Sequence, residues 1–214
     1  MDVAIIDYKM SNLFSVQAAC QKVGLSSVIT SDKNEILDAK VAILPGVGAF
    51  GEAMKYLRES KLDEAIHEFV DTGKPFVGIC LGLQLLFERS EEFGNFSGLG
   101  LVEGKVKKFR YYSDESIKFP VPQIGWNTIK YNHILWGETF LCSNQNNDFM
   151  YFVHSYYVEP EYDNIILSKT TYGYTEYCSS IKQNNIFACQ FHPEKSGTTG
   201  LKIYENLKTN IGLN

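Results

Sequence analysis

Residues 75–84 read Pro75-Phe76-Val77-Gly78-Ile79-Cys80-Leu81-Gly82-Leu83-Gln84. A short apolar run without alternation suits a strand buried on both faces. It ends at a cysteine with a glycine two positions before and two after. Beyond it, Leu83 to Arg89 predicts a helix, so the cysteine falls where strand turns into helix.

Working back toward the N-terminus, the same alternation recurs. Val3 to Ile6 is a strand-like apolar run, and Ser11 reads as an N-cap. Leu13, Val16, Gln17, Cys20 and Val23 then follow at helical spacing until Gly24 closes the helix. Val28-Ile29 suggests a second strand, and Val41 to Leu44 a third, stopped by Pro45-Gly46-Val47-Gly48. Helical patterns run from about Glu52 to Arg58 and from Leu62 to Val70 before Gly73 breaks the chain. Strand and helix in alternation imply right-handed crossovers. The expected fold class is α/β: a single domain with a mixed, mostly parallel central sheet flanked by helices. From about Leu99 to Gln190 the segments turn strand-like and rich in Tyr, Phe, Val and Ile, which predicts added antiparallel strands. Ser143 to Asp148 reads as an exposed loop, Ile186 to Phe191 as a strand, and Gly200 to Leu207 as a closing helix.

A chain of 214 residues with 44% hydrophobic content can bury a full core, so one domain spanning residues 1–214 is expected. The net charge is −5 and no basic run exceeds Lys107-Lys108, which leaves no electrostatic footprint for nucleic acid or an anionic membrane. The apolar run after Met1-Asp2 is too short for a signal-peptide core and no membrane-length run follows, so a cytoplasmic protein is expected. The five cysteines are scattered and never spaced as C-x-x-C, which argues against a disulfide framework or a zinc site.

Small residues flanking Cys80 give its setting a chemical meaning. A nucleophile on a sharp strand-to-helix turn needs them, because a Cβ there collides as the chain folds back. The alternative is a packed core thiol. Gln190-Phe191-His192-Pro193-Glu194 supplies what a catalytic thiol requires. His192 is a base that can later act as an acid, and Glu194 is a carboxylate able to fix its tautomer. Taken singly, His192 also fits a core histidine and Glu194 a solvated turn. His67, His133 and His154 lack a carboxylate at workable spacing. Pro45 to Gly48 lies at the carboxyl end of a strand, where ligands of open α/β sheets bind. Its glycines allow backbone amides to turn toward a developing oxyanion, with a second donor from Leu81. Gln84 lies one helical turn beyond Cys80, and its amide suits the α-substituents of an amino acid.

With these pieces in chain order, the sequence resembles the class I, triad-type glutamine amidotransferases. Pro45-Gly-Val-Gly48, Cys80-Leu-Gly-Leu-Gln84, Gln123-Ile-Gly-Trp-Asn127, Tyr151-Phe-Val-His-Ser-Tyr156 and Gln190-Phe-His-Pro-Glu-Lys-Ser196 together are similar to the branch formed by the glutaminase subunits of imidazole glycerol phosphate synthases. The resemblance runs from Ile5-Ile-Asp7 to the last helix and implies the flavodoxin-like fold of that family. It implies a thioester on Cys80, His192 as base and acid, Glu194 as its orienter, and Val47, Gly48 and Leu81 on the oxyanion segment, which rearranges before catalysis. It further implies that Gln84, Ser155 and Tyr156 hold L-glutamine. Gln123, Trp126, Asn127 and Lys195 would face a (β/α)8-barrel cyclase that receives the ammonia. No cofactor or metal is implied. Free ammonia would be protonated and lost in water, so glutaminase activity should stay low until the partner docks.

Positions 173–178 and 196–200 depart from the family pattern in stretches that vary among its members. A closely similar type of subunit serves surface-sugar biosynthesis, and the Ser196-Gly197 ending and Tyr/Asn-rich composition fit it as well. A stand-alone cysteine hydrolase such as a γ-glutamyl peptidase would explain the triad but not Gln123 to Asn127. A non-enzymatic scaffold would explain neither the base nor its acid.

Overall fold

The computed structural model describes residues 1–10, 12–109 and 119–213. Its first half alternates β1 (Val3–Ile6), α1 (Leu13–Lys22), β2 (Ser27–Thr30), α2 (Lys33–Asp38), β3 (Val41–Gly46), α3 (Phe50–Glu59), α4 (Leu62–Asp71), β4 (Phe76–Cys80) and α5 (Leu81–Leu85). Then come β5 (Phe87–Ser90), β6 (Phe96–Ser97), β7 (Val102–Lys108), β8 (Gln123–Thr128), β9 (Lys130–Tyr131), β10 (Phe149–His154), β11 (Tyr156–Pro160), β12 (Ile166–Tyr172), β13 (Thr175–Gln183), β14 (Ile186–Cys189) and α6 (Gly197–Asn210).

Among the described residues one sheet runs β2-β1-β3-β4-β14-β13-β11-β7-β5-β6, with β12 on β13 and β9 on β12. β2, β1, β3, β4 and β14 are mutually parallel neighbours. β13, β11 and β7 continue the sheet antiparallel, while β8 and β10 pair separately. The expected mixed α/β architecture is therefore present.

Alternation along the buried strands sorts their side chains onto two faces. Ala4, Ile6, Ala42, Leu44 and Phe76 join one core with Ile36 of α2, Phe50 and Leu57 of α3 and Ile66 and Phe69 of α4. Val3, Ile5, Val41, Ile43, Val77 and Ile79 join the other with Val16 and Cys20 of α1 and Ile203 and Leu207 of α6. Both faces are covered, which is why these strands are apolar without interruption.

Three expectations change. The helix expected over Leu83 to Arg89 is the short α5 followed by β5, which pairs in parallel with β7. Leu83, Leu85, Leu86 and Phe87 are all fully buried. A segment apolar on every side has no solvent face for a surface helix, and sheet pairing takes it over. α2 was not expected, although Asp32 caps it by accepting from the amides of Asn34 at 2.7 Å and Glu35 at 3.1 Å. The expected loop over Ser143 to Asp148 is present and largely exposed, pinned only at buried Asn144, whose Nδ2 donates to the Thr199 carbonyl and to Asp148, each at 3.0 Å. The strand expected through Phe191 ends at Cys189. Ser11, the expected cap of α1, lies outside the described residues, and Asn12 at the N-cap position makes no side-chain cap bond.

Candidate active site

The end of β4 shows why glycines flank Cys80. Cys80 itself has φ 55° and ψ −105°, a conformation an L-residue holds only when its surroundings enforce it. A Cβ on Gly82 would lie 1.8 Å from the Leu44 carbonyl oxygen. One on Gly78 would meet the Ala188 Cβ at 3.0 Å and the Gly82 backbone at 3.1 Å. Close passage of β4 against β3 and of α5 back over β4 is what these absent side chains permit. α5 is one turn long, so what it offers the site is the amide of its first residue, Leu81.

Across the sheet, β14 ends beside β4 and delivers His192. Pro193–Lys195 form one 3-10 turn with proline at its start. That turn, rather than strand alternation, brings Glu194 Oε1 to 2.7 Å from His192 Nδ1. Both side chains are almost completely buried. A carboxylate only accepts, so Nδ1 carries the proton and Nε2 is left as the base. Nε2 has no hydrogen-bond partner among the described residues. Burial opposes protonation of His192, yet the Cys80 sulfur and Glu194 outweigh it and raise the pKa to about 10. The sulfur and the carboxylate thus favour the charged form of the imidazole between them. Burial instead pushes Cys20 up to about 12 and lifts Cys178 and Cys189, so those three thiols stay protonated. Cys142 is exposed.

A cleft of about 270 Å³ opens over the thiol, lined by Val47, Gly48, Cys80, Leu81, Gln84, Glu92, Pro122, Val153, His154, Ser155 and Tyr156. All of the expected oxyanion and substrate residues therefore converge on it. Gly48 has φ 109° and is exposed. The Val47 amide, however, donates to the Met10 carbonyl at 3.0 Å, so in this state it is not aimed at the cleft. Gln84 is also more committed than its sequence position suggested. Its Nε2 donates to the Tyr156 carbonyl and to Gln190 Oε1, each at 3.0 Å, leaving only Oε1 for a ligand.

Four groups at the site were not singled out from sequence. Asn12 Nδ2 donates to Glu194 Oε1 at 3.3 Å, its amide oriented by Ser15 Oγ at 2.8 Å. Ser196 Oγ donates to the His192 carbonyl at 2.7 Å and accepts the Tyr151 amide at 2.9 Å, tying the turn to β10. Glu92, nearly buried, accepts the Phe50 amide at 2.7 Å, while burial raises its pKa. His154 is held neutral, its pKa lowered to about 4 by burial. Its Nδ1 donates to the Tyr156 carbonyl at 2.7 Å, and its Nε2 lies 3.2 Å from the Tyr177 hydroxyl, which donates to Gln123 Oε1 at 2.9 Å. None had a local sequence signal, because each partner is distant in the chain or is a backbone group.

The expected partner-facing residues separate. Trp126 is 56% exposed, beside Ile124 at 63% and Phe149 at 59%, and Tyr151 packs edge-on to Trp126 with ring centroids 6.0 Å apart. Lys195 is exposed. Asn127 is half-buried and donates to the Thr171 carbonyl at 2.9 Å. Gln123 does not face outward: it is buried, and its amide oxygen lies 2.9 Å from the Tyr177 hydroxyl. The alternation along β8 that exposes Ile124 and Trp126 turns Gln123 inward at the strand start. Among the described residues no helix is long and apolar enough to cross a membrane.

Residues 4–209 match the model of the glutamine amidotransferase class-I family. The chain is 46% identical to the imidazole glycerol phosphate synthase subunit HisH of Aquifex aeolicus, over 97% of this chain and 96% of that protein. It is 41% identical to the subunit of the same name from Bacillus subtilis, over 94% and 92%. Among solved structures, a glutamine amidotransferase superposes with a TM-score of 0.74 over all of both chains at 15% identity. The structure of PurLQS from Thermotoga maritima gives 0.71 over 98% of both at 19%. Those two likenesses speak to the fold alone.

Proposed function

The chain belongs to the class-I glutamine amidotransferase family, and from that premise we propose that it is the glutaminase subunit of an imidazole glycerol phosphate synthase, passing ammonia to a (β/α)8-barrel cyclase in histidine biosynthesis. The observation that carries the chemistry is the strained Cys80 at the mouth of the cleft, facing a histidine whose Nδ1 is locked by Glu194 at 2.7 Å.

L-Glutamine enters with its carboxamide over Cys80. Glu92 offers its α-ammonium a carboxylate, while Gln84 Oε1 and the Ser155–Tyr156 backbone line the same wall. The Cys80 thiolate attacks the carboxamide carbon. Charge developing on its oxygen is met by the Leu81 amide and by an amide of the Pro45–Gly48 segment. His192 gives its Nε2 proton to the departing nitrogen, the C–N bond breaks, and ammonia leaves a γ-glutamyl thioester. Neutral His192 then takes a proton from water as its oxygen attacks the thioester. The C–S bond breaks, and glutamate and the thiolate are released. Thiolate, imidazole and carboxylate carry every covalent and proton step, so the reaction needs no cofactor.

The Val47 amide must leave the Met10 carbonyl before this segment completes the oxyanion site, which gives the resting subunit a built-in brake. In this reading, docking of the partner on the β8–β10 pair releases it. Tyr151, packed on Trp126, accepts the His192 amide at 2.9 Å through its carbonyl, and Val153 on the same strand has its carbonyl 3.8 Å from Cys80 Sγ. An apolar face so close to the thiol also favours a partner-dependent subunit over a stand-alone hydrolase. The test is titration with the cyclase subunit carrying its ligand while glutamate release is followed. The rate should rise at least about tenfold, roughly 1.4 kcal/mol of transition-state stabilisation. A rate indifferent to the cyclase would count against the proposal.

A further inference from the structure

Gln190, one residue past the end of β14, is completely buried, and nothing in the chemistry above uses it. Its Oε1 lies 3.0 Å from Gln84 Nε2 and its Nε2 lies 3.6 Å from Cys80 Sγ. Amide oxygen and nitrogen are easily exchanged in assignment, but here the order is forced. The Tyr156 carbonyl can only accept, so the Gln84 atom 3.0 Å from it is the nitrogen. That same nitrogen faces Gln190, so the Gln190 atom meeting it must be the oxygen. What remains pointed at the sulfur is the NH2 group. A backbone carbonyl three links away thereby fixes an N–H donor on the nucleophile.

We propose that Gln190 is a catalytic residue of the glutaminase site, donating an N–H to the Cys80 sulfur so that the thiolate is held and aimed before glutamine binds, with Gln84 as the positioning residue that sets its amide. The proposal rests on Cys80 being the nucleophile. A sulfur needs more than one charge-stabilising neighbour when it is buried. His192 supplies one, but that proton leaves with the ammonia. The Gln190 N–H stays, so it holds the sulfur both before attack and when the thiolate returns on thioester hydrolysis.

The pH dependence of Cys80 alkylation by iodoacetamide, located by peptide mass, tests this in the intact chain. Gln190→Met removes the donor at similar size. Gln190→Glu keeps the acceptor that Gln84 needs and replaces the donor by an oxygen. Loss of one hydrogen bond to a charged group predicts an alkylation midpoint raised by about one pH unit in Gln190→Met, and by more in Gln190→Glu. It also predicts kcat down about tenfold in the presence of cyclase, with KM for glutamine within about twofold. A merely structural role would lower the folded fraction without moving the midpoint, and midpoints equal to wild type overturn the proposal. Should both variants fail to fold, the Gln190 side-chain amide of the wild-type protein still reports by ¹⁵N NMR. Its resonances should shift with the Cys80 alkylation midpoint, and an amide blind to the sulfur's charge overturns the assignment. If wild-type Cys80 is alkylated no faster than exposed Cys142 and Cys80→Ala still hydrolyses glutamine, the glutaminase reading itself fails and takes this one with it.

Discussion

At the scale of single residues, the site is a matter of which groups hold protons. His192 has a folded pKa near 10 against an ordinary value of 6.5, through Cys80 and Glu194 and in spite of burial. Because the folded value is the higher one, the stabilisation from its charged form is complete below about 6.5 and disappears as pH rises through about 10. Removing the sulfur removes the largest raising influence. NMR titration of the His192 ring should therefore show a midpoint well below the wild-type one in Cys80→Ala, with the proton on Nδ1 retained toward Glu194. Equal midpoints in the two proteins would mean that thiol and imidazole do not communicate. This pairing was legible from residue types and spacing alone. Asn12, Glu92 and Gln190 were not, because their roles come from contacts across 182, 42 and 110 positions of the chain that no local pattern encodes.

At the scale of elements, the glycines around β4 divide the stability of the elbow unequally. An added methyl at Gly82 meets a backbone oxygen at 1.8 Å, whereas at Gly78 its contacts are 3.0 Å or longer. Gly82→Ala should consequently cost about 3 kcal/mol or more, or prevent folding, and Gly78→Ala about 1–2 kcal/mol. Urea unfolding of the two variants reads the difference, and equal losses would contradict the packing described. Strands read well from sequence because β1, β3 and β4 are buried on both faces and carry apolar runs with no competing interpretation. Leu83 to Arg89 misled for the complementary reason. Its first residues do form α5, but Leu86-Phe87 are recruited by β7, a partner that lies later in the chain. α2 had a signal in Asp32 three positions before Glu35, and six residues were too few for periodicity to reveal it.

At the scale of the molecule, the β8–β10 pair joins an exposed apolar face to the catalytic turn. Ile124, Trp126 and Phe149 lie outward, while Met150, Phe152 and His154 alternate into the core. Trp126 is the large, rigid side chain at the centre of that face. Trp126→Ala should weaken cyclase binding about thirtyfold, roughly 2 kcal/mol, and leave the melting temperature of the free subunit within about 2 °C. Calorimetric titration and thermal unfolding check the two halves, and undiminished affinity would remove this face from the interface. The exposure of Trp126 was legible from its motif, but the inward turn of Gln123 was not, since strand registry decides it.

The most direct measurement is glutamate release from L-glutamine by the purified chain with cyclase present, wild type against Cys80→Ala. The account predicts loss of turnover to background in Cys80→Ala while the cyclase still binds. Turnover at the wild-type level in that variant would contradict it.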